Sequence, residues 1–304
     1  MRSRPLQAQA DGDRRRPSAR PACDRTPKYV SRYLKANGNG NGNGNGNGNG
    51  HANGNGNGNG NGISYAIITK DARSPLAEAY RQLRTALLLS TVGGPPKTVL
   101  VTSSLPSEGK TTTAVNLAIT LVQGGATVLL IDGDMRRPRL HTIFELSNEE
   151  GLSTILASEA PAAEVHDLVS HDEETGLHVL ASGPMPPNPA DHVGSAKMQL
   201  LLTMFQSAFT HIIIDSPPVS SFTDGVLLSS MVDNVLLVVQ EGKGSKDVIR
   251  RTRKLLQDVG ANVTGVVLNN VALGPHDRYY YHGYYAGSSY NSEEPPKPVS
   301  SLGL

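Results

Sequence analysis

A lysine and two threonines follow a glycine at Gly109-Lys110-Thr111-Thr112, a grouping suited to holding phosphate. Backbone N–H groups around Ser107, Glu108, Gly109, Lys110, Thr111 and Thr112 can point inward at phosphate oxygens. A helix that starts here adds favourable partial charge. Lys110 would reach the β and γ phosphates of ATP, and the Thr111 hydroxyl would ligate Mg²⁺. The segment fits the Walker A pattern except that Ser104 stands where the first glycine usually does. The apolar run before it and the Ala-rich amphipathic run after it supply the strand–loop–helix context that the motif needs.

Two further acidic positions close apolar runs. Leu129-Leu-Ile-Asp132-Gly-Asp134 is one, and Ile212-Ile-Ile-Asp215-Ser-Pro-Pro is the other. In an open parallel sheet, ligands gather at the carboxyl ends of strands, so Asp132, Asp134, Asp215 and the phosphate loop should converge on one edge. Three carboxylates brought together repel unless cations join them, and Mg²⁺ with its waters does that. Asn269 or Asn270, closing the last apolar run, can hydrogen-bond an adenine ring or cap a loop.

The elements that must position these groups are legible from periodicity. Strands are expected at Thr98–Thr102, Thr127–Asp132, Leu177–Ala181, His211–Asp215, Asn234–Val239 and Asn262–Asn269. Several are continuous apolar runs, as in strands buried on both faces. Helical patterns lie between them at Lys110–Gln123, Ala196–Phe209 and Ser245–Val259. A first helix opens at Ser74-Pro75 and runs to about Leu89. This alternation predicts an α/β fold of the P-loop NTPase type, a mostly parallel sheet flanked by helices on both faces.

Composition divides the chain further. Residues 1–35 hold ten Lys/Arg against three Asp, a net +7, so the remainder of the +1 chain sums to −6. Residues 1–36 read as a basic, disordered arm, which can touch anionic lipid or nucleic acid or be merely solvated. Residues 37–62 are Asn-Gly repeats broken only by His51 and Ala52, a flexible linker with an r.m.s. span of roughly 28 Å. Residues 63–274 form the folded domain, and 275–304 a disordered tyrosine-rich tail. The chain's one cysteine, Cys23, lies in the arm, which excludes a disulfide framework, a thiolate-held cluster or a cysteine nucleophile in the core. His171, His178 and His192 show no metal-ligand spacing. Neither a signal peptide nor a membrane-spanning run is present in the sequence, so a cytoplasmic location is expected. No motif for sequence-specific nucleic-acid reading occurs.

Taken together, Ser103-Ser-Leu-Pro-Ser-Glu-Gly-Lys-Thr-Thr112, Ile131-Asp-Gly-Asp-Met-Arg-Arg-Pro138, Ser182-Gly-Pro-Met-Pro-Pro-Asn-Pro189 and Ile214-Asp-Ser-Pro-Pro-Val219 give a resemblance over roughly residues 64–290. The chain resembles the bacterial tyrosine kinases of capsule and exopolysaccharide assembly, P-loop ATPases related to the MinD and ParA partitioning proteins. That resemblance implies ATP-dependent autophosphorylation of tail tyrosines, with Lys110, Asp132 and Asp134 catalytic. Asp132 would orient or deprotonate the acceptor hydroxyl, while Thr111, Asp134 and Asp215 would hold Mg²⁺, mostly through water. It also implies a ring-like homo-oligomer, a membrane-anchored polysaccharide co-polymerase as adaptor at the inner face of the plasma membrane, and a cognate tyrosine phosphatase. Glu78, Arg81 and Arg84 resemble the family's E-x-x-R-x-x-R oligomerisation element; on spacing alone they make an exposed intrahelical salt bridge.

Six of the ten tyrosines, Tyr279, Tyr280, Tyr281, Tyr284, Tyr285 and Tyr290, lie in a segment too polar and Gly-rich to form a core, and are the expected phosphate acceptors. Two rival readings are a partitioning-type ATPase switch and a non-catalytic ATP-binding regulator. The switch ATPases carry a signature lysine just after the loop's first position, where this chain has Leu105.

Overall fold

The computed structural model describes residues 30–31, 74–91, 93–158, 165 and 167–271. The Asn-Gly linker, the tyrosine tail and all of the basic arm but Val30 and Ser31 lie outside the described residues. Eight strands form one sheet in the order β1-β8-β7-β2-β6-β3-β5-β4. They are β1 (Val30–Ser31), β2 (Thr98–Ser103), β3 (Val128–Asp132), β4 (Val169–Asp172), β5 (Leu177–Leu180), β6 (His211–Asp215), β7 (Asn234–Gln240) and β8 (Val263–Asn269). All pairings are parallel except β4 with β5, where His171 faces His178 across an antiparallel hairpin.

Four longer helices cover the sheet: α1 (Pro75–Leu88), α2 (Lys110–Gln123), α6 (Ala196–Ala208) and α8 (Lys246–Asp258). Four short ones lie between them: α3 (Leu140–Ile143), α4 (Leu152–Ala157), α5 (Pro189–Val193) and α7 (Asp224–Ser229). The starts follow local chemistry. Ser74, Ser195 and Ser245 each accept a backbone N–H three residues on, and Pro75 occupies the first turn of α1.

The unbroken apolar strands divide by parity into two cores. Val99, Val101, Val128, Leu130 and Ile213 pack beneath α1 and α2. Leu100, Leu129, Ile131, Ile212 and Ile214 pack under α4, α6 and α8 on the opposite face. A sheet buried on both faces is the three-layer arrangement anticipated from the sequence. Its consequence for chemistry is geometric. Parallel β2, β3 and β6 are adjacent and in register, with Asp132 opposite Asp215, so their carboxyl ends deliver the loop and the acids to one place.

Candidate active site

The phosphate loop connects β2 to α2. Gly109 caps α2 with φ +95°, and a Cβ there would sit 2.0 Å from the Asn269 amide nitrogen, so both backbone angle and space require glycine. Ser107 also adopts a positive φ of 58°. Side chains from outside brace the loop. The buried Glu108 carboxylate accepts the Leu105 N–H at 2.7 Å and the Gln240 N–H at 3.3 Å. Asn269 donates its amide to the Glu108 carbonyl at 2.9 Å, and Lys243 Nζ donates to the Ser107 carbonyl at 2.9 Å. Ser220 Oγ donates to the Ser104 carbonyl. Asn269, offered from sequence as an adenine ligand or a loop cap, makes the capping contact; its Oδ1 accepts the Asn270 N–H. Glu108 contributes its side chain and carbonyl to the frame of the loop, leaving its backbone N–H for phosphate.

The carboxylates converge as expected. Asp132, Asp134 and Asp215 are all buried, as is Lys110. Asp132 Oδ2 accepts the N–H groups of Arg139 and Leu140, both at 2.9 Å, and its Oδ1 that of Asp134 at 3.3 Å. Thr111 Oγ1 donates to Asp215 Oδ2 at 2.6 Å, while Asp215 Oδ1 is buried with no hydrogen-bond partner. Burial, then the neighbouring Asp215 charge, pushes Asp132 up to about 8. Burial raises Asp215 to about 6 against the pull of Lys110. Asp134 is raised as well, by burial opposed by Lys110. In each acid, burial outweighs the hydrogen bonds, and in Asp134 and Asp215 the Lys110 charge, that favour the ionised form.

The donor set fits Mg²⁺. An orphaned carboxylate oxygen, a threonine hydroxyl on its twin and a third acid nearby offer hard oxygens. Among the described residues no three His, Cys, Asp or Glu side chains close a cage by themselves. An ion here keeps room for waters and phosphate oxygens, as Mg²⁺ prefers.

Three features were missed in the sequence. Arg136, just past Asp134, forms a bidentate pair with buried Asp224 at 2.6 and 3.2 Å, and its guanidinium stacks 4.3 Å from the Phe222 ring centroid. Lys243 and Ser220 contact the phosphate loop from distant segments. Ser220 adjoins a quoted motif and Lys243 adjoins none, and spacing carries no information about partners this far apart. Tyr80 is buried with its hydroxyl directed at the Thr112 carbonyl, 3.4 Å away, and burial drives its pKa far upward.

On α1, Arg81 pairs with Glu78 within the helix at 2.7 Å, and Arg84 donates to the Thr120 carbonyl of α2 at 2.6 Å. The six tail tyrosines lie outside the described residues.

Comparison with known proteins agrees with this geometry. The family model described as ParA, NUBPL iron-transfer P-loop NTPase, matches residues 96–284. The tyrosine-protein kinase YwqD of Bacillus subtilis strain 168 is 36% identical over 217 residues, 71% of this chain and 90% of that protein. The tyrosine-protein kinase Etk of Escherichia coli K12 is 31% identical over 204 residues, 67% of this chain but 28% of that longer protein. Among solved structures, the chimerical protein CapA2B2 superposes with a TM-score of 0.65 at 35% identity, covering 69% of this chain and 91% of that one. The kinase domain of the Escherichia coli tyrosine kinase ETK gives 0.64 at 29% identity, covering 67% and 79%. With the Walker A loop, the paired strand-end acids and these likenesses in agreement, the chain belongs to the bacterial tyrosine-protein kinases, a branch of the ParA-type P-loop NTPases.

Proposed function

We propose that this chain is an ATP- and Mg²⁺-dependent autokinase that phosphorylates the tyrosine cluster Tyr279–Tyr290, on a neighbouring copy, within a ring-like homo-oligomer. The observation that carries the reading is the buried triad Asp132, Asp134 and Asp215 beside Lys110 at the carboxyl edge of β2, β3 and β6. Lys110 would offset charge on the transferred phosphoryl group while the loop N–H groups orient it. Thr111, Asp134 and Asp215 would hold Mg²⁺, which supplies charge neutralisation to the phosphates when bound. Asp132 is set back in the site, held by three backbone N–H groups, and serves as the acceptor of the phenol proton. Its raised proton affinity means that it takes up this base role once positive charge has entered the site.

The point at which the described chain ends supports the same reading. Strand β8 is parallel to β7 and ends at Asn269, which touches the phosphate loop, so the chain leaves the domain beside the site. From Val271 to Tyr279 an extended chain reaches at most about 29 Å. Tethering the acceptor near the site gains part of the positioning benefit, worth up to about 7–11 kcal/mol in ideal geometry.

Among the described residues no helix is long and apolar enough to cross a membrane. Recruitment to the inner membrane face by a membrane-anchored co-polymerase, reversal by a cognate tyrosine phosphatase, and control of exopolysaccharide or capsule assembly complete the proposal. Its test is incubation with ATP and Mg²⁺, with and without the adaptor, followed by phosphotyrosine mass spectrometry. Wild type gains phosphate on the tail and Lys110→Met gains none. ATP turnover that leaves every tyrosine bare would overturn the kinase reading in favour of a partitioning-type switch, against which Leu105 already stands.

A further inference from the structure

Helix α8 is the most strongly basic helix among the described residues. Its sequence Lys-Asp-Val-Ile-Arg-Arg-Thr-Arg-Lys-Leu-Leu-Gln-Asp carries five cations and two acids, and it buries only Thr252 and Leu256. Lys246, Arg250, Arg253 and Lys254 fall at spacings of three, four, seven and eight, hence along one side. Arg250 and Lys254 meet Asp247 and Asp258 at 3.1 and 2.9 Å in pairs more than half exposed, which solvent screens. Lys246, Arg251 and Arg253 make no hydrogen bond or ion pair among the described residues. The large apolar side chain that α8 itself exposes is Leu255, and it sits on a different side of the helix from the stripe. A row of cations without an apolar wedge suits a mobile polyanion better than insertion into lipid.

Such a polyanion arises next door. Helix α8 packs on β8, and its amino end shares the sheet edge at which β8 runs into residues 272–304. Each phosphotyrosine carries about −1.5 to −2, so the cluster changes from nearly neutral to densely anionic. The cluster begins at Tyr279, within about 29 Å of extended chain from Val271, and α8 is roughly 20 Å long, so the tether holds the cluster at an effective concentration on the order of millimolar.

We propose that the Lys246–Arg250–Arg253 side of α8 is a dock for the chain's own phosphorylated tyrosine cluster. The dock reads the phosphorylation state and draws the product tail away from the phosphate loop. This rests on the autokinase reading only for the source of the phosphate, so a synthetic ligand separates the two. The probe is a fluorescent peptide of residues 276–291 carrying phosphotyrosine at 279, 281 and 284, titrated onto full-length Lys110→Met protein, whose own tail stays bare. The phosphopeptide should bind, with the unmodified peptide about tenfold or more weaker and the affinity falling as salt rises. The triple variant Lys246→Ala/Arg250→Ala/Arg253→Ala, at exposed or half-exposed positions, should keep the parent's far-ultraviolet spectrum and weaken phosphopeptide binding by about tenfold or more. Equal binding by parent and triple variant overturns the dock. So does a parent that ignores the phosphopeptide but sediments with phosphatidylserine-containing vesicles through these three cations, since the stripe is then a lipid surface.

Discussion

Asp132 presents the sharpest conflict at the scale of single residues. It is fully buried, accepts three backbone N–H groups, and still stands at about 8 because desolvation and Asp215 outweigh those bonds. The sign of the consequence follows from linkage. Its folded-state pKa lies above the unfolded value near 3.9, so the folded state binds the proton more tightly. The stability conferred by that proton is complete below about pH 4 and is lost as pH rises through about 8. Asp215, raised to about 6, acts in the same direction over a lower window. Nucleotide- and Mg²⁺-free protein should therefore show a urea midpoint that falls between pH 5 and 8. Asp132→Asn, which removes the titrating group but keeps the shape and one carbonyl oxygen, should flatten that fall and raise the midpoint at pH 8. Parallel curves for the two proteins would show that the site does not carry this charge strain. Adding Mg²⁺ and ATP should shrink the difference, because bound positive charge answers the carboxylates.

Connections between elements decide whether those residues stay together. Arg136, in the loop after β3, is bound bidentately by Asp224 in the first turn of α7 and covered by Phe222. One strap thus ties the segment bearing Asp132 and Asp134 to the segment following Asp215. Asp224 is 1% exposed, so Arg136→Ala strands a buried carboxylate, at a cost of about 3–5 kcal/mol. Asp224→Asn on that background should recover much of the loss, because the penalty belongs to the unpaired charge and not to the contact itself. Chemical denaturation of the wild type, both single variants and the double variant gives the coupling; additive costs would show that Arg136 and Asp224 act independently. The strap also marks the limit of what the chain's residues reveal unaided. Strands β2, β3, β5, β6, β7 and β8 were legible because their apolar runs are bounded by Gly, Pro or Asp. Helices α1, α2, α6 and α8 were legible because of capping serines, a proline and Gly124-Gly125. Acids ending two such strands then had to share an edge. Strand β4 was not expected: Val-Ser-His-Asp has no run to bury, and it exists by pairing antiparallel with β5. The short helices fit too few turns to show a period, and two-residue β1 has no local signal at all. Arg136 and Asp224 are 88 positions apart, so no spacing rule connects them.

At the scale of the whole molecule, the proposed assembly would couple to charge through two ends of the domain. Helix α1 uses Arg84 to hold α2 and pairs Arg81 with Glu78, so its arginines are already oriented on the surface by contacts within the subunit. An intersubunit contact at α1 would then meet pre-ordered side chains and lose little rotamer entropy on assembly. Strand β8 ends at the phosphate-loop edge, and in the proposed ring the tyrosines that follow it in sequence would enter a neighbour's site. Each phosphate added there would bring about −1.5 to −2 to a place where the proposed ring sets neighbouring copies close, in a chain whose residues 36–304 already sum to −6. Repulsion of that kind acts between subunits and not within one, so it shifts association while leaving the fold intact. Light scattering of matched samples should give a smaller mass for the phosphorylated protein and an unchanged thermal midpoint for its monomer. Raising the ionic strength should restore part of the larger species by screening the added charge. A phosphatase-treated sample should return to the original mass. Equal masses across these states would break the link between the product of catalysis and the life of the ring, and the tail would then be a substrate without a role in assembly.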